Sequence, residues 1–489
     1  MRASYRRAVR IAVAVLISAL LLVPCFWQQR IQAGDLSSHI YNAWLAQLIE
    51  RGQAPGLTIA RQSNNVLFDL MLSWLMRAYG AAAAQRIAVS IAVLVFFWGA
   101  FGFVWAYARR GRAPWELTPC LAMLAYGWVF RMGLFNFYLS LGLAFGALAL
   151  ARLKKGWAMA AAVALLPVAY AAHAMPVAWA IGIFAYGWVA ERLRPRRRVA
   201  LMIGTVVAIA LAAVLLAAFF PTRRGVDQYI AMTGADQFWI YGRYYIAIVV
   251  AILAVWALCF RGLLERRGTE RTFFDARFQI CALNAAALAL LPGGVLLPGC
   301  RAALDFIAER MSLAGAVLFC ALVASSRIRK PVVVAMAAIA VVFFSLSYVD
   351  ERALNHVETE MEQAVAQLPP GQRVVSMLAD PESRVQALTH FADRVCVGRC
   401  FSYANYEPST AAFRVRAYSE NPFVVSDYGE SWSIQTGGYV VKPRDLPLYN
   451  IDLCKSSAQQ ICIVPLRVGA TLHNRGVDLH GPLGEDQTL

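Results

Sequence analysis

The sequence is poor in charged residues. Asp, Glu, Lys and Arg make up 15% of its 489 residues, and hydrophobic residues make up 60%. A soluble protein carries about 25% charged residues. Apolar runs of roughly 17 to 25 residues recur up to about residue 349, and each is long enough to cross a bilayer. Because a chain in lipid must satisfy its backbone hydrogen bonds internally, the composition predicts a polytopic α-helical membrane protein.

The sequence also lacks the signatures of several other protein classes. It has no Walker motif, no Rossmann glycine fingerprint after a strand and no G-x-S-x-G elbow, which argues against an ATP-driven pump.

The first apolar run, about residues 9–27, resembles a signal peptide because a basic segment precedes it. It is long, however, and no A-x-A cleavage site follows closely, so we interpret it as an uncleaved first span.

The apolar runs predict about eleven transmembrane helices. Segment 65–80 is short and carries Asp69 and Arg77, so we predict an amphipathic helix that lies on the membrane interface. The predicted spans are near residues 9–27, 82–108, 113–130, 132–153, 157–172, 174–191, 199–220, 244–261, 278–297, 306–326 and 331–349.

Basic residues in the connections predict the topology. Dense basic clusters occur at 109–112, 152–156, 192–198, 261–271 and 327–330, and cytoplasmic loops carry an excess of Lys and Arg. The N-terminus is then cytoplasmic and residues 350–489 are extracytoplasmic, which is typical of a bacterial inner-membrane protein. These loops also account for the net charge of +17, so no nucleic-acid partner is needed.

Long apolar runs are absent from residues 350–489, which predicts a separate extracytoplasmic α/β or α+β domain after a membrane domain at 1–349. Short strand-like pieces occur at 373–378, 423–427, 437–441 and 461–466. Four cysteines, Cys396, Cys400, Cys454 and Cys462, predict disulfides in an exported domain. Four cysteines allow three pairings, of which the local pairs 396–400 and 454–462 are our first choice. A zinc site is the alternative, although the spacings match zinc motifs poorly.

The outer loop at 28–81 begins with a chemically distinctive stretch, AGDLSSHIYNAWLAQLIERGQAPG. Tyr41, Trp44, Leu45, Leu48 and Ile49 predict one apolar helical face, so an amphipathic helix follows the first span. Asp35 and His39 are spaced to share a face of this helix. Asp35 is either the N-cap of the helix or a general base or metal ligand at the membrane boundary. His39 is either an ordinary interfacial histidine or part of the same site.

This stretch resembles the GT-C superfamily of membrane glycosyltransferases, which includes protein mannosyltransferases and lipid A aminoarabinose transferases. Those proteins place an acidic motif early in the loop after the first span, followed by a pattern like Y-x-x-A…G-x-x-P. This chain supplies Asp35, Tyr41, Ala43, Gly52 and Pro55. Many relatives carry a second acid where this chain has Leu36, so that role is unfilled or falls to His39.

The resemblance implies a function and a set of partners. The donor would be a sugar linked to a polyprenyl phosphate held in membrane lipid, and the acceptor a glycan, lipid or protein of the cell envelope. Asp35 would deprotonate the acceptor hydroxyl, with His39 as a second catalytic candidate, and arginines near the outer span ends would bind the phosphate. The arginine candidates are Arg131, Arg243, Arg301 and Arg310, and each is alternatively a snorkelling or ion-paired residue.

Further site candidates follow from local sequence. His173 lies between two spans and is flanked by Pro167 and Pro176, which makes it a substrate-binding or a capping residue. Segment 401–421 is rich in Tyr, Asn and Arg, which suits either sugar contacts or an ordinary surface. Nothing in the sequence requires a divalent metal, so the cofactor stays unknown. The alternative function is a non-catalytic transporter or an assembly or scaffold factor for surface polysaccharide.

Overall fold

The computed structural model describes residues 2–108, 113–454 and 457–477. Helices fill most of the first 365 residues, and short strands are concentrated in the C-terminal region. The helices are α1 Arg2–Leu22, α2 Leu36–Glu50, α3 Leu67–Tyr107, α4 Thr118–Ala125, α5 Trp128–Arg131, α6 Phe135–Arg152, α7 Gly156–Ala172, α8 Ala174–Arg192, α9 Pro195–Phe219, α10 Asp227–Ala231, α11 Tyr245–Arg267, α12 Thr269–Phe273, α13 Ala276–Leu290, α14 Ile307–Val323, α15 Lys330–Val365, α16 Phe391–Val395, α17 Glu407–Thr410 and α18 Tyr428–Thr436. The strands are β1 Leu57–Ile59, β2 Thr222–Arg223, β3 Gly294–Val295, β4 Arg373–Ser376, β5 Leu378–Ala379, β6 Phe401–Ser402, β7 Val415–Ala417, β8 Leu448–Cys454, β9 Ser457–Pro465 and β10 Arg475–Gly476.

Among the described residues, seven helices are long and apolar enough to cross a membrane, namely those that contain residues 8–22, 67–107, 135–152, 174–192, 195–219, 245–267 and 330–365. Helices α7 and α13 are apolar but shorter. Large apolar side chains of α9, such as Ile203, Val207 and Leu211, are more than half exposed. Such a surface is unfavourable in water and favourable against lipid tails. The structure is therefore consistent with a helical membrane protein.

Two predicted spans differ from the observed helices. The prediction of one continuous helix at 113–130 is wrong, because the chain forms a 3₁₀ turn, α4 and α5, with an extended Gly127 between the helices. Helix α4 alone is about 12 Å long, less than half of a bilayer core. The helix predicted to reach residue 297 ends at Leu290, just before Leu291 and Pro292, since a proline disfavours helical backbone in the residue before it.

Two other helices extend beyond or divide within the predicted ranges. Helix α3 covers both segment 65–80 and the following span, but Gly80 has φ 77° and ψ 169° and separates the two parts, as predicted. Helix α15 continues past the change in composition at residue 350 and ends at Val365. At 1.5 Å per residue its 36 residues span about 54 Å, so one rigid helix joins the apolar helices to the C-terminal region.

The C-terminal region is built on a four-stranded mixed sheet in the order β6-β4-β8-β9. Strand β4 is parallel to both β6 and β8, and β8 pairs with β9 in an antiparallel hairpin. The predicted strands at 373–378 and 461–466 are confirmed, but 423–427 forms no strand and 437–441 contributes only a bridge at Val440. Disulfides join Cys396 to Cys400 and Cys454 to Cys462, which confirms the local pairing.

The C-terminal region packs directly on the segment that follows α1. Strand β1 pairs with β7, and the backbone N–H of Ser402 donates to the hydroxyl of Tyr41 at 2.9 Å. Arg394 forms an ion pair with Glu358 on α15 and donates to the carbonyl of Ile31 at 2.9 Å. Residues 361 and 363 positions apart in the chain are thus in direct contact.

Candidate functional site

A cavity of about 620 Å³ lies where these parts meet. Its walls come from the start of α2, the α7–α8 junction, segment 297–310, segment 386–413 and α18. Four of the residues singled out in the sequence line it, namely Asp35, His39, His173 and Arg310. Since these residues come from three separate parts of the first 310 positions, the fold itself assembles the cluster.

The backbone around Asp35 is held by the turn that follows α5. The N–H of Gly34 donates to the carbonyl of Arg131 at 2.7 Å, and the N–H of Asp35 donates to the carbonyl of Met132 at 2.9 Å. Gly133 has φ 81°, and a Cβ on it would lie 2.5 Å from the Asp35 nitrogen, so this close approach requires glycine.

The carboxylate of Asp35 does not cap α2. Asp35 occupies the N-cap position, but its side chain accepts no capping hydrogen bond. The capping interpretation is therefore wrong. The carboxylate instead faces the cavity, where it is a quarter exposed and its Oδ1 lies 3.5 Å from Nε2 of His390.

His39 is held by a buried polar chain. Its Nδ1 lies 2.6 Å from Oδ1 of Asp69, and Asn136 donates to the other Asp69 oxygen at 2.8 Å. Burial lowers the pKa of His39, but the charge and hydrogen bond of Asp69 outweigh it and raise the pKa to about 9. His39 is therefore an imidazolium at neutral pH, with Asp69 as its counter-ion.

His173 combines the two roles that the sequence left open. Its Nδ1 accepts the N–H of Met175 at 3.2 Å and so caps α8, which confirms the capping prediction, while the ring also lines the cavity. Burial, followed by the positive charge of Arg310, lowers the pKa of His173 to about 3. The ring is neutral at pH 7, and because Nδ1 accepts, Nε2 carries the proton as a hydrogen-bond donor.

Arg310 carries a positive charge on the cavity wall. In the part of the chain that the structure describes, no carboxylate oxygen lies within 4.0 Å of its guanidinium, and its buried Nε has no hydrogen-bond partner. It is nevertheless close enough to Asp35 for the two charges to interact. A partly buried guanidinium without a carboxylate partner favours an anionic ligand.

Three residues of the C-terminal region complete the cavity: His390, which lies outside every predicted site, and Tyr406 and Glu407, which fall within the predicted segment 401–421. His390 and Tyr406 line it, with ring centroids 5.3 Å apart. Glu407 lies behind them and accepts a hydrogen bond from Ser38 at 3.0 Å. Burial raises the pKa of Glu407 to about 8, opposed by the positive charge of His39. The chain has only six histidines, and three of them line this one cavity. The small number of histidines could therefore have pointed to His390 as a site residue.

The other three predicted arginines do not line this cavity. Arg131 is fully buried and forms an ion pair with Glu351 at 2.6 Å. Arg243 is exposed and lies 3.4 Å from Glu382. Arg301 lines a different, more open groove of about 730 Å³ on the C-terminal region. Of the four arginines, the structure brings only Arg310 to Asp35.

Segment 401–421, which the sequence left open between sugar contacts and an ordinary surface, contributes to both hollows. Tyr406, Ala412 and Phe413 line the cavity with Asp35, whereas Tyr403 and residues 417–421 line the groove with Arg301. The segment is therefore the wall between the two hollows.

The cavity is amphipathic. Its polar lining residues include Asp35, His39, Arg310 and His390, and its apolar lining residues include Phe137, Leu134, Ala178, Leu297 and Leu304. Across the described residues, no group of three or more His, Cys, Asp or Glu side chains could hold a metal ion. The arrangement suits a ligand with an anionic head and an apolar part, next to a carboxylate that can take a proton.

Comparison with known proteins gives no assignment. No family model, no curated protein and no solved structure matches this chain. The chemistry of the cavity is therefore the ground on which a function rests.

Proposed function

We propose that this chain is a GT-C-type membrane glycosyltransferase, which transfers a sugar from a polyprenyl-phosphate-linked donor to an envelope acceptor. The observation that carries the proposal is the position of the Asp35 carboxylate and its lack of a capping role. Its carboxylate lies on the wall of an amphipathic cavity, is not used as a helix cap and has Arg310 within electrostatic range.

The proposed chemistry divides among these groups. Asp35 accepts the proton of the acceptor hydroxyl as its oxygen attacks the sugar carbon. Arg310 neutralises the phosphate that leaves with the bonding electron pair, since a guanidinium binds two phosphate oxygens at once. Nε2 of His173 donates a hydrogen bond to the bound substrate. The apolar lining residues near α8 and in segment 297–306 contact the first part of the lipid chain.

The helix directions support a site on the outer face. Phe137 near the start of α6, His173 at the α7–α8 junction and Arg310 near the start of α14 all line the cavity. The basic clusters 152–156, 192–198 and 327–330 lie at the opposite ends of these helices. If the basic ends are cytoplasmic, the cavity is at the outer surface of a bacterial inner membrane.

The same topology accommodates eleven crossings. It takes the seven long helices, the shorter α7 and α13, the 17-residue α14, and the interrupted pair α4 and α5 as one crossing. Residues 28–66, the first part of α3 and the C-terminal region are then all extracytoplasmic. This agrees with disulfides in the C-terminal region, which persist in oxidising compartments.

Donor binding is tested with a photoreactive polyprenyl phosphate in membranes that contain the protein. We expect crosslinks in peptides from the start of α8 and from segment 297–306. Arg310→Gln should lower the crosslinking about tenfold, because it removes a charged hydrogen bond of roughly 1.5–3 kcal/mol. Arg243→Gln is the matched control, since Arg243 is exposed and is not among the residues that line the cavity.

The same experiment can also reject the cavity as the donor site. Crosslinks spread evenly over the lipid-facing helices, or equal crosslinking of both variants and the wild type, would reject the cavity as the donor site. A transporter or scaffold factor for surface polysaccharide would then be the better interpretation.

A further inference from the structure

A histidine of the C-terminal region lies between two carboxylates at the cavity. Nε2 of His390 is 3.5 Å from Oδ1 of Asp35, and Nδ1 is 3.1 Å from Oδ2 of Asp393. Asp393 is buried on α16, three residues along the chain from His390, so the ring is fixed from behind. Tyr406 packs against the ring face. Each nitrogen of the ring thus has one carboxylate partner.

The charges around His390 favour its protonated form. Burial lowers its pKa, but the hydrogen bond and charge of Asp393, with the charges of Asp35 and Glu407, outweigh it and raise the pKa. Asp35 comes from the start of α2, Asp393 from α16 and Glu407 from α17. Tyr406 is neutral, and the positive charge of Arg310, which lines the same cavity, interacts with Asp35. An imidazolium donates from both nitrogens, which matches two carboxylate partners.

We propose that His390 is a positioning residue for Asp35. Its imidazolium holds one oxygen of the Asp35 carboxylate and leaves the other oxygen free towards the cavity. This inference rests on the proposed transfer reaction, in which that free oxygen takes the proton of the acceptor hydroxyl. In the same step the acceptor oxygen bonds to the sugar carbon, and the bond from that carbon to the phosphate oxygen breaks with its electron pair leaving on the phosphate.

Without His390, neither oxygen of the Asp35 carboxylate would be held in place at the cavity wall. The C-terminal region therefore supplies the group that positions the base.

The first test is the steady-state kinetics of sugar transfer by the full-length protein in liposomes. His390→Gln should lower kcat about tenfold and change KM for the donor less than about twofold, because the change disturbs the base and not the donor site. Asp393→Asn should lower kcat by less. His356→Gln is the matched control, because His356 is exposed on α15 and pairs with Glu360. An unchanged kcat in His390→Gln would overturn the proposal.

The second test asks whether His390 acts through Asp35. In the Asp35→Asn protein, the further change His390→Gln should cost no additional activity. An additional tenfold loss there would show that His390 acts separately, and would overturn the proposal.

A readout without transfer separates this inference from the proposed function. Carbodiimide labelling of the Asp35 carboxyl at a single pH, followed by mass spectrometry, should be faster in His390→Gln than in the wild type, because Oδ1 is no longer held by His390. Equal labelling would overturn the role of His390. A wild-type protein without transfer activity would reject the proposed function, and the labelling rates would still decide whether His390 holds Asp35.

Discussion

The buried ion pair between Arg131 and Glu351 makes a strong prediction about stability. Both side chains are almost fully enclosed, and Nη2 of Arg131 lies 2.6 Å from Oε1 of Glu351. Trp27 donates to the other carboxylate oxygen at 3.1 Å, and Ser347 lies 2.6 Å from the guanidinium. Since the carbonyl of Arg131 accepts the N–H of Gly34, this pair also supports the backbone that presents Asp35.

Glu351→Ala should therefore destabilise the protein by about 3–5 kcal/mol, because it leaves a buried guanidinium without its counter-charge. Replacing both partners, as Arg131→Met with Glu351→Leu, should cost clearly less than the two single changes added together, because no unpaired charge remains. Glu360→Ala is the control, since it removes a partner of the exposed His356, and such surface pairs contribute about 0–1 kcal/mol.

The assay is the temperature at which half of the purified protein loses its monodisperse elution after heating in detergent. We expect the order Glu360→Ala, then the double variant, then Glu351→Ala, from most to least stable. A Glu351→Ala protein as stable as Glu360→Ala would show that the buried pair does not stabilise the protein, and a double variant whose loss equals the sum of the single losses would show that no unpaired charge is relieved.

Three further predictions concern the topology, the disulfides and the pH dependence. A reporter that is active only in the cytoplasm should be silent when fused after residue 489, and activity there would reject the proposed orientation. The cysteines of the two disulfides should resist thiol labelling in intact cells until a reductant is added, and immediate labelling would contradict the pairing. The pKa of His39 rises from 6.5 to about 9 on folding, so its pair with Asp69 stabilises the protein fully below pH 6.5 and loses this contribution as pH rises through 9. The thermal stability of wild type over His39→Gln should shrink across that window, and a constant difference would be inconsistent with a charged His39.

Most helices could be predicted from local sequence patterns. The bilayer thickness sets the length of an apolar run that can cross it, so most helices occur close to the predicted ranges. The break at 127 was missed because Gly127 lies in an otherwise apolar run, where a glycine is common and need not end a helix. Strand β8 was missed because its sequence, LYNIDLC, mixes polar and apolar residues without a strong alternation.

Asp35, His39, His173 and Arg310 were predicted as site residues, but the sequence alone could not show which distant residues the fold brings to Asp35. Asp35 and His39 could be recognised because they lie four residues apart on one helix. Charge and position near a span end could not distinguish Arg310 from Arg131. Arg310 lines the cavity, whereas Arg131 forms a buried ion pair with Glu351. His390 lies 355 positions after Asp35 in the chain, and only the packing of the C-terminal region on α2 brings them together.

The proposed role of Asp35 as the base of a sugar transfer is tested by the variant Asp35→Asn. Asparagine has nearly the same size, and because the carboxylate caps no helix, the protein should insert and elute as the wild type does. The measurement is transfer of labelled sugar from a panel of polyprenyl-phosphate sugars to membrane material, with Asp227→Asn, at an exposed position on α10, as the control. We expect wild-type transfer from the control and a loss of about a hundredfold or more from Asp35→Asn, the usual cost of removing a general base. Equal transfer by Asp35→Asn and wild type would contradict the account.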